Sequence, residues 1–295
     1  MSKSRRQILA GLGAAGVAAG AIYTKNAANA DNKKPVAPQA NNPKPGAKFA
    51  NKVVLITGAT SGIGEKTAKS FAQQGAKVFF CGRRENLGKQ VKQQIRDAAG
   101  EATYMKADVR KTEEVKAFVD ACVTKYGGLD IAFNNAGVDY PPQAIADTKV
   151  EEFDDLMSTN ARGVFLGMKY EIPYMLKAGS GAIINMASIG GKRAFPNIVG
   201  YGASKAAVIH MTKAAAQEYG KDIRVNAVLP GAIDTAMLDR VKQQWEVTEE
   251  ELVSPYPAKR VGTPQEVADL VMWLASNDAS YVSGGEFSVD GGGLG

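Results

Sequence analysis

A glycine-rich turn at residues 57–64 is the first segment whose residue types and spacing suit chemistry. It reads TGATSGIG, follows a short apolar run and opens a helical stretch. Glycines let the backbone approach a pyrophosphate, and a helix N-terminus supplies free N–H groups at the positive end of its dipole. The turn predicts a dinucleotide site, although its Gly-x3-Gly-x-Gly spacing differs from the commoner Gly-x-Gly-x-x-Gly. The predicted contacts are Gly58, Ser61, Gly62, Ile63 and Gly64.

The tip of the second apolar run indicates which dinucleotide is bound. Gly82 stands there, and Arg83 and Arg84 follow it. An acid at this position would accept the ribose hydroxyls of NAD, whereas a guanidinium suits the 2′-phosphate of NADP. We therefore expect NADP(H), with NAD(H) as the alternative. Arg83 is the favoured phosphate ligand, and Arg84 is either a second ligand or a solvated surface charge.

Tyr201 and Lys205 are four residues apart in a helical stretch and therefore project from one helix face. Hydride transfer between a carbinol carbon and nicotinamide requires a proton to move at the oxygen. Free tyrosine has a pKa of about 10, so a tyrosine base near neutrality needs a pKa about 3 units lower. A fixed ammonium and the positive charge of oxidised nicotinamide both favour the phenolate.

The elements that position these residues follow from alternating patterns after Lys52. Short apolar runs at 53–57, 77–81, 103–107, 130–134, 181–187, 223–228 and 286–289 predict strands. Helical stretches begin near Gly62, Glu85, Thr112, Val150, Gly202 and Pro264. This pattern predicts one α/β, doubly wound Rossmann-type domain over residues 51–295, with a parallel sheet of about seven strands. Its ligand belongs at the carboxyl ends of the strands.

Further motifs occur in a fixed order along the chain. They read NNAG at 134–137, STNARG at 158–163, INMAS at 184–188, YGASK at 201–205, NAVLPG at 226–231 and VDGG at 289–292. With the glycine-rich turn, this series resembles the short-chain dehydrogenase/reductase family over about 245 residues. The resemblance implies an NAD(P)-dependent oxidoreductase that acts on an alcohol or ketone.

The resemblance also implies roles for four catalytic residues. Tyr201 would be the acid/base, and Lys205 would lower its pKa and bind the nicotinamide ribose. Ser188 would hydrogen-bond the substrate oxygen and stabilise developing charge. Asn160 would hold a water that links Lys205 to solvent, or would serve as a structural amide.

Cofactor contacts are implied at the ends of several other strands. Asp108 would meet adenine or act as a helix N-terminal acid, and Asn134 would line the adenosine side or form a structural turn. Ile233 and Thr235 match positions that bond the carboxamide. The remaining implied contacts are Val109, Ala136, Gly137, Pro230 and Gly231, together with Tyr201 and Lys205 themselves.

The N-terminus has the pattern of a targeting segment. Arg5 and Arg6 precede an uncharged Gly/Ala-rich stretch, and residues 28–30 read Ala-Asn-Ala. Residues 1–30 therefore resemble a twin-arginine (Tat) signal peptide, which predicts a Tat-exported periplasmic protein. An uncleaved membrane anchor, or a cytoplasmic enzyme with a misassigned start, is the alternative. Residues 31–50, rich in Pro, Asn and Lys, are predicted to be a disordered linker.

Composition limits the other partners. The formal charge of +6 comes from the N-terminal fifth, because residues 1–52 carry +8 and the remainder −2. This distribution does not favour nucleic-acid binding. Two cysteines and one histidine lack metal-ligand spacing. The family resemblance implies a homotetramer or homodimer, with contacts near residues 155–175 and 202–219.

Substrate identity is expected to depend on residues 190–200 and on a covering segment at 236–258. Enoyl reduction is not favoured, because related enoyl reductases space their Tyr and Lys more widely. The alternative to an alcohol/ketone oxidoreductase is an exported dinucleotide-binding module without significant turnover.

Overall fold

Seven short apolar segments form one sheet in the computed structural model, which describes residues 47–294. The strands are β1 (Val53–Ile56), β2 (Lys77–Gly82), β3 (Glu101–Lys106), β4 (Ile131–Asn134), β5 (Gly181–Met186), β6 (Ile223–Pro230) and β7 (Glu286–Val289). Their order is β3-β2-β1-β4-β5-β6-β7, and every neighbouring pair is parallel. The predicted doubly wound parallel sheet is confirmed.

Helices cover both faces of this sheet. They are α1 (Gly62–Gln73), α2 (Glu85–Asp97), α3 (Thr112–Tyr126), α4 (Val150–Leu156), α5 (Gly163–Ala178), α6 (Val199–Tyr219), α7 (Ala236–Gln244), α8 (Glu249–Val253) and α9 (Pro264–Ala275). Alternate residues of β1 enter different cores: Leu55 packs on the side of α3, α5 and α6, and Ile56 packs on the side of α1 and α9. Burial on both faces explains why the strands are continuously apolar.

The sheet reverses its winding direction at β1. The chain goes from β1 outward to β2 and β3, then returns to place β4 on the other side of β1. Ile56 therefore pairs with Phe80 on one side and with Phe133 on the other. The turn after β1 and the loop after β4 consequently meet at the carboxyl edge of the sheet, where open α/β folds bind ligands.

The region predicted as one helix from Val150 has three parts. A π-helical segment, Met157–Arg162, joins α4 to α5. Such wide turns are rare and often occur at functional sites. The helix predicted near Gly202 begins three residues earlier, at Val199.

The N-terminal boundary lies slightly earlier than the predicted end of the linker. Phe49 is 2% exposed and packs edge-on against Phe71 at 4.8 Å between ring centroids. Residues 47–50 are therefore ordered by contact with α1. The predicted signal peptide and residues 31–46 of the predicted linker lie outside the described residues. Between residues 47 and 294, no helix combines the length and apolarity that crossing a membrane requires.

Candidate active site

A cleft of about 960 Å³ opens at the carboxyl edge of the sheet. Every predicted site residue lines this cleft except Asn134 and Asn160. Residues of the segment 236–258, hereafter the lid, form the wall opposite the strand ends and contribute Met237, Leu238, Trp245 and Leu252. One continuous space therefore joins the predicted cofactor contacts to the predicted catalytic residues.

The glycine-rich turn requires glycine at two positions for different reasons. Gly58 has φ +69°, and a Cβ there would come 2.6 Å from the Ala136 Cα. Gly64 has a helical backbone, but a Cβ would lie 2.6 Å from the Gly58 carbonyl oxygen. The side chain of Asn135 fixes the turn by donating to the carbonyls of Thr57 and Gly58, both at 3.1 Å. Asn135 is absent from the predicted contacts, although the repeated asparagine of the NNAG motif could have indicated it.

The turn presents an uncapped helix N-terminus to the cleft. Ser61 occupies the N-cap position of α1, yet its side chain makes no capping hydrogen bond. Its hydroxyl instead accepts from Arg84 Nη2 at 2.6 Å, and Thr60 Oγ1 accepts from the same nitrogen at 3.0 Å. Free N–H groups, a guanidinium and glycines that admit close approach fit the pyrophosphate and phosphates of a dinucleotide.

The two arginines after β2 differ in their contacts. Arg84 is tied to the glycine-rich turn, whereas Arg83 is exposed at the mouth of the cleft. The charge of Arg83 nevertheless reaches Asp108 and helps to lower the pKa of that carboxyl. The structure thus gives Arg84 a defined position and leaves the Arg83 side chain free to meet a ligand.

Asp108 belongs to an ion-pair network that sequence analysis did not predict. Its Oδ2 lies 2.5 Å from Arg110 Nη2, and Arg110 Nη1 lies 2.7 Å from Asp155 Oδ1. Burial raises the pKa of Asp108, but the bonds from Arg110 outweigh it and the pKa falls. Asp108 is therefore a carboxylate held in place at the edge of the cleft.

Asn134 does not lie where the adenosine prediction placed it. Its side chain is 1% exposed, points into the core and donates to Asn185 Oδ1 and Glu171 Oε2, both at 3.1 Å. Asn134 is the last residue of β4, and its side chain leaves the sheet on the side of α5. The backbone of the next residues, Ala136 and Gly137, lines the cleft instead.

Tyr201, Ser188 and Lys205 meet at the centre of the cleft. Ser188 follows β5 and accepts from the Gly190 N–H at 3.1 Å, which orients its hydroxyl. Lys205 is 3% exposed, and its Nζ donates to the Met186 carbonyl at 2.9 Å. The same Nζ lies 5.8 Å from the centroid of the Tyr201 ring. This arrangement places a hydroxyl, a phenol and an amine along one wall.

The pKa values of this pair differ from the expectation. Burial raises the pKa of Tyr201, a hydrogen bond with Ser188 lowers it, the charge of Asp139 raises it, and the net shift is upward. Burial also lowers the pKa of Lys205 to about 8. Desolvation of the phenol outweighs the lowering hydrogen bond, so the net shift is opposite to the fall that was expected. The effect of Lys205 and of the nicotinamide charge on this pKa stays a prediction.

Asn160 lies in the π-helical segment with its hydrogen bonds directed inward. Its Nδ2 donates to the Val138 carbonyl at 3.0 Å and to Ser204 Oγ at 3.1 Å, and its Oδ1 accepts from the Val138 N–H at 2.8 Å. A Cβ on Gly137 would approach both Asn160 Oδ1 and Lys205 Nζ, at 3.3 and 3.5 Å. Asn160 thus borders Lys205, but both of its donors are already used, one by Val138 in the loop after β4 and the other by Ser204 of α6.

The lid is attached near its N-terminal end. Thr235 caps α7 by accepting from the Leu238 N–H at 3.4 Å, and its methyl would meet a Cβ on Gly62 at 3.2 Å. Arg240 of α7 forms an ion pair of 2.6 Å with Asp139, in the loop after β4. This ion pair links the lid to the loop beside Tyr201, and sequence analysis identified neither of its members.

An open parallel sheet with a glycine-rich turn at its switch point and a tyrosine–lysine pair in the same cleft defines a dinucleotide-dependent oxidoreductase. A family model described as Enoyl-(Acyl carrier protein) reductase matches residues 58–293. Cyclohexanol dehydrogenase from Acinetobacter sp. (strain SE19) is 42% identical over 245 residues, which cover 83% of this chain and 95% of that protein. Levodione reductase from Leifsonia aquatica is 38% identical over 256 residues, which cover 84% of this chain and 96% of that protein.

Solved structures agree with these relatives. The crystal structure of levodione reductase has a TM-score of 0.81 at 38% identity and covers 83% of this chain and 98% of that chain. The structure described as "ElxO with NADP Bound" has a TM-score of 0.77 at 34% identity and covers 82% of this chain and 98% of that chain. The chain belongs to the short-chain dehydrogenase/reductase family, and it is an NAD(P)-dependent oxidoreductase that acts on the CH–OH group of an alcohol or on the corresponding ketone.

Proposed function

We propose that this protein interconverts a small alcohol and its ketone with NADP(H), and that Tyr201 is the acid/base. The observation that carries the proposal is the convergence of Ser188, Tyr201 and Lys205 on one wall of the cleft, beside the glycine-rich turn. When bound, the nicotinamide cofactor supplies or accepts the hydride.

The chain's own residues handle the substrate oxygen and its proton. Ser188 hydrogen-bonds that oxygen, and Tyr201 gives a proton to it during ketone reduction or takes one during alcohol oxidation. The raised pKa of Tyr201 keeps the phenol protonated at neutral pH, which suits the reductive direction. Lys205, buried beside the ring, binds ribose hydroxyls and contributes its charge when protonated.

The preference for NADP rests on the basic residues after β2. Arg84 is fixed against the glycine-rich turn, and Arg83 is exposed at the mouth of the cleft. A guanidinium pairs well with a phosphate dianion, and no acid stands at the strand tip, where Gly82 ends β2. A structural relative described with NADP bound adds support.

Fluorescence titration with NADPH and NADH tests this preference. We expect tight NADPH binding and weak NADH binding by the unsubstituted protein. Arg83→Ala should weaken NADPH binding by about tenfold or more and change NADH binding little, since a charge-assisted contact contributes about 1.5–3 kcal/mol. Arg84→Ala measures the share of the second arginine. Equal losses for both cofactors in Arg83→Ala would contradict the phosphate assignment.

We also propose that the protein is exported through the Tat pathway after folding around its cofactor. Tat transport moves folded proteins, so a cofactor-requiring domain is compatible with a twin-arginine segment at Arg5 and Arg6. Mass spectrometry of the native N-terminus tests the cleavage site. A first residue of Asp31 supports export with cleavage, whereas an intact Met1 or Ser2 supports a tethered or cytoplasmic enzyme.

Self-association is proposed through the two long helices. Within the predicted contact region at residues 155–175, the α5 surface leaves Phe165 48% exposed. Light scattering of the purified protein should therefore give the mass of a homotetramer or homodimer. A monomer at micromolar concentration would contradict this proposal without affecting the catalytic one.

A further inference from the structure

Glu171 lies in the middle of α5 with a completely buried carboxyl group. Its Oε2 accepts from Asn134 Nδ2 at 3.1 Å, but among the described residues its Oε1 has no hydrogen-bond partner, and neither has Asn134 Oδ1. A Cβ on Gly167 would collide with Asn134 Oδ1 and come 3.1 Å from Glu171 Oε1, so both oxygens lie beside this glycine. Two buried acceptors without donors would each destabilise the folded protein.

We propose that Glu171 is protonated in the native protein, donates this proton to Asn134, and thereby acts as a positioning residue for the active site. One hydrogen on Glu171 Oε1 gives both orphan oxygens a partner. A neutral carboxyl also fits the charge balance, because within residues 47–294 no lysine or arginine forms a salt bridge with Glu171.

Among the described residues, two thiols interact electrostatically with Glu171, those of Cys122 in α3 and Cys81 in β2. Burial raises the pKa of both thiols, that of Cys81 to about 12, so both stay neutral in the range of interest. Burial likewise raises the pKa of Glu171 to about 8, against a lowering contribution from the Asn134 bond.

The sheet and α6 offer only uncharged partners on this side. Asn134 Nδ2 also donates to Asn185 Oδ1 at 3.1 Å, and Asn185 Nδ2 donates to Thr212 Oγ1 of α6 at 3.0 Å. The network therefore joins β4, β5, α5 and α6 through neutral side chains. It contains no charge that would stabilise an ionised Glu171.

On two strands, β4 and β5, the asparagine of this network is followed directly by a residue that contacts the active site. Asn185 precedes Met186, whose carbonyl accepts from Lys205. Asn134 precedes Asn135, which holds the carbonyl of Gly58. The proton on Glu171 thus fixes the strand ends that position the amine and the glycine-rich turn.

Infrared difference spectroscopy of the purified protein tests the protonation directly. Glu171→Gln is the matched variant, because its amide both donates and accepts in nearly the same shape. We expect a carboxylic-acid C=O band at pH 6–7 in the unsubstituted protein that is missing in Glu171→Gln and fades above about pH 8. No difference between the two proteins in the carboxylic-acid C=O region at pH 6–7 would overturn the proposal and indicate an ionised Glu171. This measurement does not depend on the reaction, so it stands or falls separately from the proposed function.

Unfolding and turnover test the positioning role. The native pKa of about 8 exceeds the usual value of 4.5, so the folded protein binds more protons and loses stability as pH rises between these values. The unfolding constant of the unsubstituted protein should rise relative to Glu171→Gln by up to tenfold per pH unit in this window, then level off.

Glu171→Leu should lower kcat about tenfold or more, and Glu171→Gln should restore it. The proposal would be contradicted if the unfolding free energies of the unsubstituted protein and Glu171→Gln had the same pH dependence. Equal kcat values for Glu171→Leu and Glu171→Gln would contradict it as well.

Discussion

The glycine-rich turn and the lid line the same cleft, yet different physical constraints fix their structures. The turn is fixed by backbone geometry: Gly58 has a left-handed conformation, and a Cβ there would clash with Ala136. The lid is fixed by side chains, through the Thr235 cap of α7 and the Arg240–Asp139 ion pair. Most residues that line the cleft from the lid, such as Trp245 and Leu252, are apolar, with Arg240 and Glu251 as charged exceptions, and none of them has a positive φ.

This difference separates two kinds of specificity. A backbone cradle accepts only a ligand whose phosphates meet the N–H groups, and few sequences can form it. An apolar lid accepts many small ketones, because contact area rather than hydrogen-bond geometry determines affinity. We expect substitutions in the turn to affect cofactor binding, and substitutions in the lid to affect substrate binding.

The largest effect is expected at Tyr201, the proposed acid/base, which belongs to neither the glycine-rich turn nor the lid. Tyr201→Phe removes the hydroxyl and keeps the ring, so turnover should fall by about 10²–10⁴-fold. The Kd for NADPH, measured by nicotinamide fluorescence, should change little. Turnover that survives the substitution would contradict the acid/base assignment, and a large loss of NADPH binding would mean that the ring serves mainly the cofactor.

Gly58→Ala should be the next largest change and should affect the cofactor wall alone. The added Cβ would lie 2.6 Å from the Ala136 Cα, at a residue with φ +69°. We expect the Kd for NADPH to rise at least tenfold, as measured by fluorescence titration. Gly127→Ala is the matched control, because Gly127 has φ +85° but nothing within 4 Å of its Cβ position. Similar losses of NADPH binding in both variants would mean that backbone strain, rather than a damaged cradle, explains the effect.

The same comparison explains what sequence analysis could predict. Glycine spacing and apolar runs are local signals, and they correctly predicted a doubly wound parallel sheet of seven strands. The direction of the Asn134 side chain was not predictable, because the NNAG motif does not reveal which face of the sheet each asparagine takes. The Asp139–Arg240 ion pair joins residues 101 positions apart, and only the folded lid brings them together.

The upward shift in the pKa of Tyr201 could not be predicted from the sequence for a related reason. Spacing of four residues showed that Tyr201 and Lys205 share a helix face, but not that both groups are desolvated together. Burial is a property of the complete cleft, and it reverses the direction that a simple charge pair would give.

Trp245→Ala should test the lid with a smaller effect. The indole lines the cleft at the end of α7. Its removal should raise the KM for a cyclic ketone such as cyclohexanone about tenfold, since burying an aromatic side chain contributes roughly 1.5–3 kcal/mol, only part of which is lost to substrate. The Kd for NADPH should stay within about twofold. A change in NADPH binding as large as that in KM would show that the two walls are not independent.

Asp139→Asn should produce the smallest effect and shows where the two walls meet. The negative charge of Asp139 raises the pKa of Tyr201, so its removal lowers that pKa and makes the phenolate available at lower pH. The rising limb of kcat/KM for alcohol oxidation should move to lower pH, with a gain of less than about tenfold on its acid side.

Two controls separate the effect of the Asp139 charge from a change in structure. Arg240→Gln breaks the same ion pair but keeps the charge of Asp139, so its limb should not move to lower pH. Asp239→Asn removes a carboxylate from α7, the helix that carries Arg240. The Asp239 side chain is 59% exposed, so this variant should leave the pH profile of kcat/KM unchanged. A shift toward lower pH in either control would mean that lid position, rather than the charge of Asp139, controls the ionisation of Tyr201.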